Sequence, residues 1–526
     1  MSFVTPVIAW APLAPIIIVL GAAAIGILVE AFIRTPATRR AAQLALALAS
    51  LVGAALVAIL QWATLDGAGT VVLEHMMVVD RQALAWQSVL LLFGVLGTLL
   101  FAARTRAGEE AFTPLGAVAP GSTEETLARR KGMQLTEVFP LALFAVGGMM
   151  LFTSVTDLIF LFVALEVFSL PLYILVALAR RRRLLSHEGA LKYFLLGAFS
   201  SALFLFGAAL LYGATGSTSF DEVGAGIASA TGLDTLILAG AVLVVVGLLF
   251  KLGAVPFHSW TPDAYQGAPT PVTAFMGAAT KAAATAALIR LVYGALYGLD
   301  WELSWLFWTV AIASMLLGTV VALVQTELKR MLAYSSIAHA GFILVAFAGF
   351  PDSTLSALPF YLLTYGLATM GAFAVITQVR ERGEDGTVLG EATRLGQWAG
   401  LGRRSPWLAA SMALFLLSFA GIPLTAGFVG KFVAFSAAMS EGAWPLVLVA
   451  VIASAAAAFF YVRLIVLMFF TDVPDGQEDA VAVDYSPLAR VVVVAAAVAV
   501  VLLGIVPGPV LSAFENAGVL LLGAAG

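Results

Sequence analysis

The sequence predicts an all-α protein that crosses a membrane many times, and three observations support this. Only 11% of the 526 residues are charged and 61% are hydrophobic. The mean hydropathy is +1.02. Apolar runs long enough to cross a bilayer as helices, which takes about 20 residues, recur along the whole chain. Because soluble domains carry about 25% charged residues, the composition excludes an ordinary soluble protein.

Fourteen apolar runs are candidate transmembrane helices. The last run is rich in valine, but we assign it as a helix because an open strand would leave its backbone groups unpaired in lipid. The predicted spans are 10–33, 41–63, 84–103, 136–154, 156–179, 188–213, 233–258, 270–298, 303–325, 330–349, 354–380, 406–438, 444–470 and 489–513.

Basic residues are unequally divided between the loops. Loops after odd-numbered helices hold most of them, including Arg34, Arg180 to Arg183, Lys329 and Arg403. Loops after even-numbered helices hold only Arg81, beside several acids. Loops rich in Lys and Arg stay on the cytoplasmic side. We therefore expect both termini on the outer, periplasmic side.

The helix pattern divides the chain into five parts. Two groups of five helices are flanked by three helices at the N-terminus and one at the C-terminus. The predicted parts are helices 1–3 in 1–103, a cytoplasmic loop in 104–135, helices 4–8 in 136–298, helices 9–13 in 303–470, and helix 14 in 489–526.

Helices 7 and 12 both contain helix breakers beside a lysine. Gly253 and Pro256 follow Lys251, and Gly421 and Pro423 precede Lys431, together with Gly427 and Gly430. Paired interruptions five helices apart are typical of inverted-repeat transporters. We therefore predict two inverted five-helix repeats, helices 4–8 and 9–13, with broken helices 7 and 12. Ordinary proline kinks are the alternative.

Several charged residues lie inside predicted helices, where a charge costs about 2.5–3.5 kcal/mol on insertion scales and marks a functional candidate. The cations are Lys192, Lys251, Lys281, Arg290, Lys431 and Arg463. Glu166 lies near the middle of helix 5, and His339 lies in helix 10. Burial disfavours a charged lysine, whereas a nearby glutamate favours it. A row of such groups, bridged by water, can accept and pass protons.

Structural roles compete with this interpretation for the cations. Lys192 lies about one turn inside helix 6 and could extend its ammonium to the membrane surface. Arg290 and Arg463 could anchor helix ends or pair with buried acids. For Lys251, Lys281 and Lys431 the functional interpretation is favoured, because apolar residues flank each of them on both sides.

Other polar residues near the candidate helices have competing interpretations as well. His339 could form an ordinary interhelical hydrogen bond, and His258 could cap a helix beside a loop. Asp263 and Glu137 lie near predicted helix ends, where structural roles are more common. We retain His258, Arg290, Asp263 and Tyr334 as accessory candidates.

The sequence excludes several classes of chemistry. Without cysteine the chain has no disulfide, no thiolate zinc site and no cysteine-ligated iron–sulfur cluster. It contains no Walker A, dinucleotide-binding, HExxH or nucleophile-elbow motif. The net charge of −4 and the absence of a long basic tract make nucleic acid an unsuitable partner. The sequence therefore favours a protein that conducts ions over an enzyme that makes or breaks covalent bonds.

The motifs around these residues resemble a known family. They are ALEVFSLPLYIL with Glu166, EGALKYFLLGAFSS with Lys192, FKLGAVPFHSWTPDAYQGAPTPV with Lys251, ATKAAATAALIR with Lys281, ELKRMLAYSSIAHAGF with His339, and LSFAGIPLTAGFVGKF with Lys431. The chain resembles the antiporter-like membrane subunits of proton-pumping NADH:quinone oxidoreductase (respiratory complex I), in particular the bacterial N-type. The M-type usually has glutamate where Lys431 stands, which favours the N-type.

The resemblance implies a role for each of these residues. It makes Glu166 and Lys192 a charge pair between neighbouring subunits or half-channels, and Lys251 the central site at a broken helix. Lys281 and His339 continue the row. Lys431 stands toward the other half-channel.

The resemblance also implies function and partners. NADH, FMN, iron–sulfur clusters and quinone belong to other subunits, and no cofactor or metal is expected on this chain. The neighbours are the M-type and the small K- and J-type subunits, with lipids, in a bacterial plasma membrane. Redox chemistry elsewhere drives proton translocation through this chain. A subunit of a multisubunit Na⁺/H⁺ antiporter is the alternative, and a purely structural membrane spacer is a third.

Overall fold

The computed structural model of the chain describes residues 9–521 except 66, 68, 107, 115–117, 119–121, 131–134, 384–385 and 474–479. The sequence analysis makes predictions about both termini and about the 104–135 loop. The extreme termini and parts of this loop lie outside the described residues. The described structure does not establish how helices 4–8 are related to helices 9–13. The inverted repeats and the five-part division therefore stay predictions.

Helices dominate the described chain, and every predicted run contains at least one. The first half holds α1 (Trp10–Phe32), α2 (Pro36–Thr64), α3 (Arg81–Ala102), α4 (Thr123–Arg130), α5 (Val138–Phe152), α6 (Leu158–Ala177), α7 (Arg183–Thr215), α8 (Phe220–Ser229), α9 (Asp234–Leu252) and α10 (Trp260–Gly267). The second half holds α11 (Thr270–Arg290), α12 (Asp300–Leu323), α13 (Leu328–Val345), α14 (Thr354–Ile376), α15 (Leu401–Arg404), α16 (Pro406–Ala420), α17 (Ala426–Ser440), α18 (Trp444–Phe470), α19 (Pro487–Ile505) and α20 (Gly508–Asn516).

Within the described residues, eleven helices are long and apolar enough to cross a membrane. Three further apolar helices, α5, α16 and α17, are shorter. A polytopic membrane protein built from helices is therefore confirmed, whereas the exact number of fourteen crossings stays a prediction. A helix shorter than about 18 residues cannot span the hydrocarbon core alone, since each residue rises 1.5 Å.

Two small antiparallel sheets connect the helices, and the sequence analysis predicted neither. Strands β1 (Gly69–Val72) and β2 (Met77–Asp80) form a hairpin before α3. Strands β3 (Val379–Arg382), β4 (Val388–Glu391) and β5 (Val481–Val483) form a sheet in the order β4-β3-β5. The predicted helix 11 at 354–380 is therefore too long, because α14 ends at Ile376 and β3 follows.

Helices α11 and α14 form the centre of the molecule, and the membrane-spanning part of each is wholly buried. The α11 sequence is rich in alanine, which lets neighbouring backbones approach closely in a membrane. In α1, α2, α18 and α19 most of the spanning surface remains open, and it is apolar. The polar residues of α11 and α14 are thereby separated from lipid by a shell of apolar helices.

Both predicted helix breaks are present. Helix α9 ends at Leu252, where Gly253 adopts the left-handed conformation with φ 74°, and the helix resumes only at Trp260. The predicted span 233–258 is wrong at its end, because left-handed Gly253 terminates α9 and Pro256 offers no amide to continue it. Helix α16 ends at Ala420 before left-handed Gly421, and α17 begins at Ala426.

The ends of the helices that carry the basic loops form one face, which we call the arginine-rich end. It contains Arg180 to Arg183, Lys329 and Arg380. Helix α4 and the segment before it are held there by ion pairs, in which Arg180 binds Glu109 before the helix at 2.9 Å and Glu125 within it at 3.0 Å. The loop 104–135 thus ties the end of α6 to the end of α3.

Candidate functional site

Lys251 lies in the last turn of α9 inside a cage of aromatic rings. Its ammonium donates a hydrogen bond to the Tyr173 hydroxyl at 3.0 Å. The ring centroids of Phe168, Tyr173, Tyr193 and Phe250 lie 5.6, 5.0, 5.3 and 5.7 Å from the ammonium nitrogen. Ring faces attract a cation by about 0.5–2 kcal/mol, depending on desolvation. The cage therefore tolerates a charged lysine without a direct carboxylate partner among the described residues.

Glu166 on α6 lies close enough to act electrostatically on Lys251. Its carboxylate accepts a hydrogen bond from Ser201 on α7 at 2.5 Å. It is partly exposed on the outer surface of the helix bundle. Glu166 therefore lies within electrostatic range of both Lys251 and Tyr173, and no hydrogen bond or ion pair joins it to Lys251.

The structure does not pair Lys192 with Glu166. Lys192 instead binds Glu188 at 2.6 Å and Asp263 at 2.7 Å, and its side chain is 44% exposed. Lys192 precedes Ser201, the partner of Glu166, by nine residues on α7, which corresponds to about 13 Å along the helix. Within this chain the two residues expected to form a charge pair lie at different depths.

Asp263 on α10 belongs to the same surface cluster. It also accepts a hydrogen bond from Arg330 at 2.6 Å, and Arg330 in turn interacts with Tyr334. The accessory candidates Asp263 and Tyr334 therefore lie near the arginine-rich end, outside the interior row of lysines. This supports the structural interpretation of Asp263.

Lys281 lies inside α11 and reaches the end of α9. Its ammonium donates a hydrogen bond to the Leu252 carbonyl at 2.5 Å. The last carbonyls of a helix have no partner within the helix and carry a partial negative charge. Because Lys251 precedes Leu252, two lysines from different helices meet at one helix end.

The loop of the first break holds buried polar atoms without a partner among the described residues. These are His258 Nδ1 and Thr261 Oγ1. A Cβ atom at Gly253 would lie 2.9 Å from Thr261 Oγ1 and 3.9 Å from the Lys281 ammonium. Glycine thus leaves space between these groups, and buried polar atoms of this kind are usually satisfied by water. His258 lies between α9 and α10, whereas the predicted span placed it inside helix 7, and its accessory role stays a prediction.

His339 on α13 connects two tyrosines. Its Nδ1 lies 2.7 Å from the Tyr361 hydroxyl, and its Nε2 lies 3.4 Å from the Tyr461 hydroxyl. His339 is also within electrostatic range of both Lys281 and Lys431. The imidazole has a donor and an acceptor nitrogen, so it can receive a proton on one side and release one on the other.

Lys431 on α17 reaches the carbonyl end of α16. Its ammonium donates to the carbonyls of Phe419 at 2.7 Å and Ala420 at 3.1 Å, and to the Ser454 hydroxyl at 2.7 Å. The Phe342 ring lies 4.8 Å away. A cavity of about 10 Å³ between His339 and Lys431 has room for about one water molecule.

The two buried arginines have the structural roles that the sequence left open. Arg290 forms a bidentate ion pair with Asp80, at 2.8 and 3.1 Å, at the face opposite the arginine-rich end. Arg463 donates to the Leu323 carbonyl at 3.1 Å and so anchors the end of α12. Neither arginine contacts the lysines of the breaks.

The structure therefore brings together most of the predicted row. Partly exposed Glu166 lies at one end of the row, and its other members are almost completely buried: Lys251, Lys281, His339 and Lys431. Lys192 lies beside this row at the surface. No group of three or more His, Asp or Glu residues that could hold a metal occurs among the described residues.

Sequence reasoning missed the hydroxyl groups that hold the row together. Tyr173 follows Glu166 by seven residues, so both lie on one face of α6 two turns apart. That spacing was visible in the sequence. The contacts of Tyr361, Tyr461 and Ser454 depend on packing between distant helices, and no local pattern indicates them.

Comparisons with known proteins give the family of the chain. The family model described as NADH:quinone oxidoreductase/Mrp antiporter, transmembrane, matches residues 155–457. NADH-quinone oxidoreductase subunit N of Beutenbergia cavernae is 56% identical over 462 residues, which cover 86% of this chain and 87% of that protein. The protein of the same name from a Nocardioides species is 50% identical and covers 98% of this chain and 99% of its own length.

Solved structures show the same similarity. A chain of respiratory complex I from Thermus thermophilus, with bound aureothin, superposes with a TM-score of 0.73 at 34% identity, covering 95% of this chain and 99% of that chain. A chain of the Mrp complex from Dietzia superposes with a TM-score of 0.77 at 22% identity, covering 97% of each chain. The second similarity concerns the fold alone.

Proposed function

The chain belongs to the NADH:quinone oxidoreductase/Mrp antiporter family and is a proton-translocating membrane-arm subunit of NADH:quinone oxidoreductase, in which we propose that the buried row carries the protons. Glu166, Lys251, Lys281, His339 and Lys431 are the residues of this row. The observation that carries the proposal is that Lys281 and Lys431 each place an ammonium on the carbonyl end of a broken helix.

Lys251 is the switch of this row. Its ammonium has one hydrogen-bond partner and an aromatic cage, so either charge state fits the pocket. A proton that moves from Lys251 toward Lys281 removes a positive charge next to Glu166 and adds one next to His339. Water at the break bridges the two lysines. The electrostatic change is then felt by both neighbours, since charges interact strongly at low dielectric.

We propose that the arginine-rich end faces the cytoplasm of a bacterium and that the chain lies in the plasma membrane. The concentration of Arg180 to Arg183, Lys329 and Arg380 at that end supports this orientation. Moving one charge against 100 mV costs about 2.3 kcal/mol. We expect the energy to come from NADH, FMN, iron–sulfur and quinone chemistry on other subunits.

The neighbours of this chain are other membrane-arm subunits, and we propose the M-type and the small K- and J-type subunits with lipids. The surface of α6 and α7 carries partly exposed Glu166 beside exposed apolar side chains such as Leu170, Leu195 and Phe199. An acid on an otherwise apolar membrane surface favours a protein neighbour over lipid.

NADH-driven proton uptake into inverted membrane vesicles tests the row. Lys251→Ala should abolish proton uptake while the complex still assembles. Arg403→Ala, which removes a solvent-exposed ion pair with Asp472, serves as the control and should leave uptake unchanged. Normal proton uptake in Lys251→Ala would remove the central role of Lys251.

A subunit of a Na⁺/H⁺ antiporter is the second candidate, supported only by the shared fold of the Mrp chain. The same vesicles separate the two functions. A pump subunit translocates protons on addition of NADH without sodium. An antiporter subunit exchanges protons only when a sodium gradient is imposed, and that result would favour the second candidate.

A further inference from the structure

Lys329 is a further buried lysine in the same kind of surroundings. The sequence analysis placed it in a basic loop, but it lies in the first turn of α13 and is only 3% exposed. Its ammonium donates to the Ala268 carbonyl at 2.8 Å and lies 3.4 Å from the Thr270 hydroxyl. Ala268 directly follows Gly267, the last residue of α10, so Lys329 binds the carbonyl of a helix cap and resembles Lys281 and Lys431 in this respect.

A polar cavity of about 30 Å³ adjoins Lys329 at the arginine-rich end, with room for about two water molecules. Glu109, Arg380 and Glu391 contribute to its lining. Burial acts to raise the pKa of Glu391, but Arg380 and Lys329 hold that pKa below its usual value. The cavity therefore combines a carboxylate, a guanidinium and an ammonium, which together favour water over lipid.

Hydroxyl groups continue from Lys329 toward the interior. The Tyr265 hydroxyl lies 3.2 Å from Ser336 Oγ, and Ser336 also hydrogen-bonds to Tyr365. The Tyr365 ring centroid lies 4.6 Å from that of His339. All of these side chains are buried in the described structure. Ser336 lies two turns beyond Lys329 on α13 and about one turn before His339, so these hydroxyl groups lie at depths between the cavity and the row.

We propose that Lys329 is a proton-relay residue at the cytoplasmic mouth of this chain, and that its protons reach His339 along Tyr265, Ser336 and Tyr365. The neutral amine takes a proton from a hydronium ion that enters the cavity from the cytoplasm, so that an N–H bond forms, an O–H bond breaks and water is left behind. The ammonium then gives a proton to water beside Thr270, which passes it to the hydroxyl groups. This inference rests on the proposed function and on its orientation.

The substitution Lys329→Arg separates a relay from a helix cap. Arginine keeps a positive charge and donors for the Ala268 carbonyl, but it does not release a proton in proteins. We expect NADH-driven proton uptake by the assembled complex to fall by roughly a hundredfold, which is typical for loss of a proton-transferring group. Proton uptake at the level of the unmodified protein would overturn the inference, because it would leave Lys329 only a structural cap.

Tyr265→Phe gives a second test that barely changes the packing, and it decides the question if the Lys329 variant fails to assemble. It removes one hydroxyl from the path and should lower proton uptake several-fold, whereas unchanged uptake overturns the path. Arg463→Lys is the matched control for Lys329→Arg, because Arg463 also binds a helix carbonyl end but lies outside the path. Lys281→Met is assayed in parallel. If proton uptake is lost in Lys281→Met but normal in Lys329→Arg, this inference alone is overturned. If proton uptake is normal in both variants, the proposed function is overturned as well.

Discussion

Each of the two helix breaks has a lysine on the exposed carbonyl end, but the two breaks differ in the number of lysines involved. At the first break, the carbonyl end of α9 is occupied by Lys281 from another helix, while Lys251 points into an aromatic cage. At the second break, Lys431 belongs to the broken helix itself and binds two carbonyls and a serine. One break divides anchoring and switching between two residues, and the other combines them in one.

This difference indicates which lysine changes charge most easily. The Lys431 ammonium has three hydrogen-bond partners, and hydrogen bonds to charged groups contribute about 1.5–3 kcal/mol each. Lys251 has one such partner, and its remaining contacts are ring faces. Deprotonation of Lys251 therefore disrupts fewer interactions than deprotonation of Lys431. We therefore propose that the first break acts as the switch of the row and the second break as its firmly held terminus.

The largest expected effects come from replacing each lysine by methionine, which has a similar length but no charge. Lys431→Met leaves the Phe419 carbonyl without its donor and the Ala420 carbonyl with Ser454 alone. Because an unsatisfied buried group costs about 1–3 kcal/mol, both proton uptake and stability should fall. Lys251→Met leaves only the Tyr173 hydroxyl. It should lose proton uptake and keep its stability.

Thermal denaturation of the purified complex and proton uptake in vesicles measure the two properties separately. A Lys251→Met complex as unstable as the Lys431→Met complex would contradict the division into switch and anchor. Arg403→Ala again provides the control for purification and assembly.

A smaller effect is expected from removing one hydroxyl at each break. Tyr173→Phe removes the only hydrogen bond of Lys251 and should lower proton uptake about tenfold, since 1.4 kcal/mol corresponds to a factor of ten. Ser454→Ala removes one of three partners of Lys431 and should have a much weaker effect. Equal losses in the two variants would show that the breaks hold their lysines alike.

The smallest effects are expected when alanine replaces the glycine that directly follows α9 or α16, the first half of each broken helix. Both Gly253 and Gly421 have positive φ, which costs a residue with a side chain about 1–2 kcal/mol. A Cβ at Gly421 would lie 3.0 Å from Lys431 Cδ, whereas one at Gly253 would lie 2.9 Å from Thr261 Oγ1 and 3.9 Å from the Lys281 ammonium. Both methyl groups are crowded, but only the one at Gly421 presses on a lysine of the row. Gly421→Ala should therefore lower proton uptake a few-fold and Gly253→Ala less, as measured by initial rates in vesicles. The reverse order would contradict the direct contact seen at the second break.

Much of the row was predictable because a charge in an apolar run is conspicuous. Lys251, Lys281 and Lys431 stand among apolar residues, and glycine and proline mark both breaks. Lys329 was not recognised because Arg330 follows it, and the pair resembles an ordinary basic loop. Burial of Lys329 depends on α10 and α11, which lie far away in the chain.

The pairing of side chains was less predictable than their identity. Lys192 has Glu188 one turn away on its own helix, a local partner that was visible, but its second partner, Asp263, comes from α10. Glu166 and Lys192 lie at different depths within this chain, and a charge pair between neighbouring subunits or half-channels stays a prediction. The two small sheets were also missed, because strands of three or four residues are too short to show an alternating pattern.

The charge of Lys251 must change if the first break is the switch of the row, and Lys251→Arg tests this claim most directly. Arginine stacks well on aromatic rings, so the cage can hold it, but its charge is permanent. The measurement is the number of protons taken up by inverted vesicles for each NADH oxidised. We predict an assembled complex with little or no proton uptake. A ratio equal to that of the unmodified complex would contradict the account.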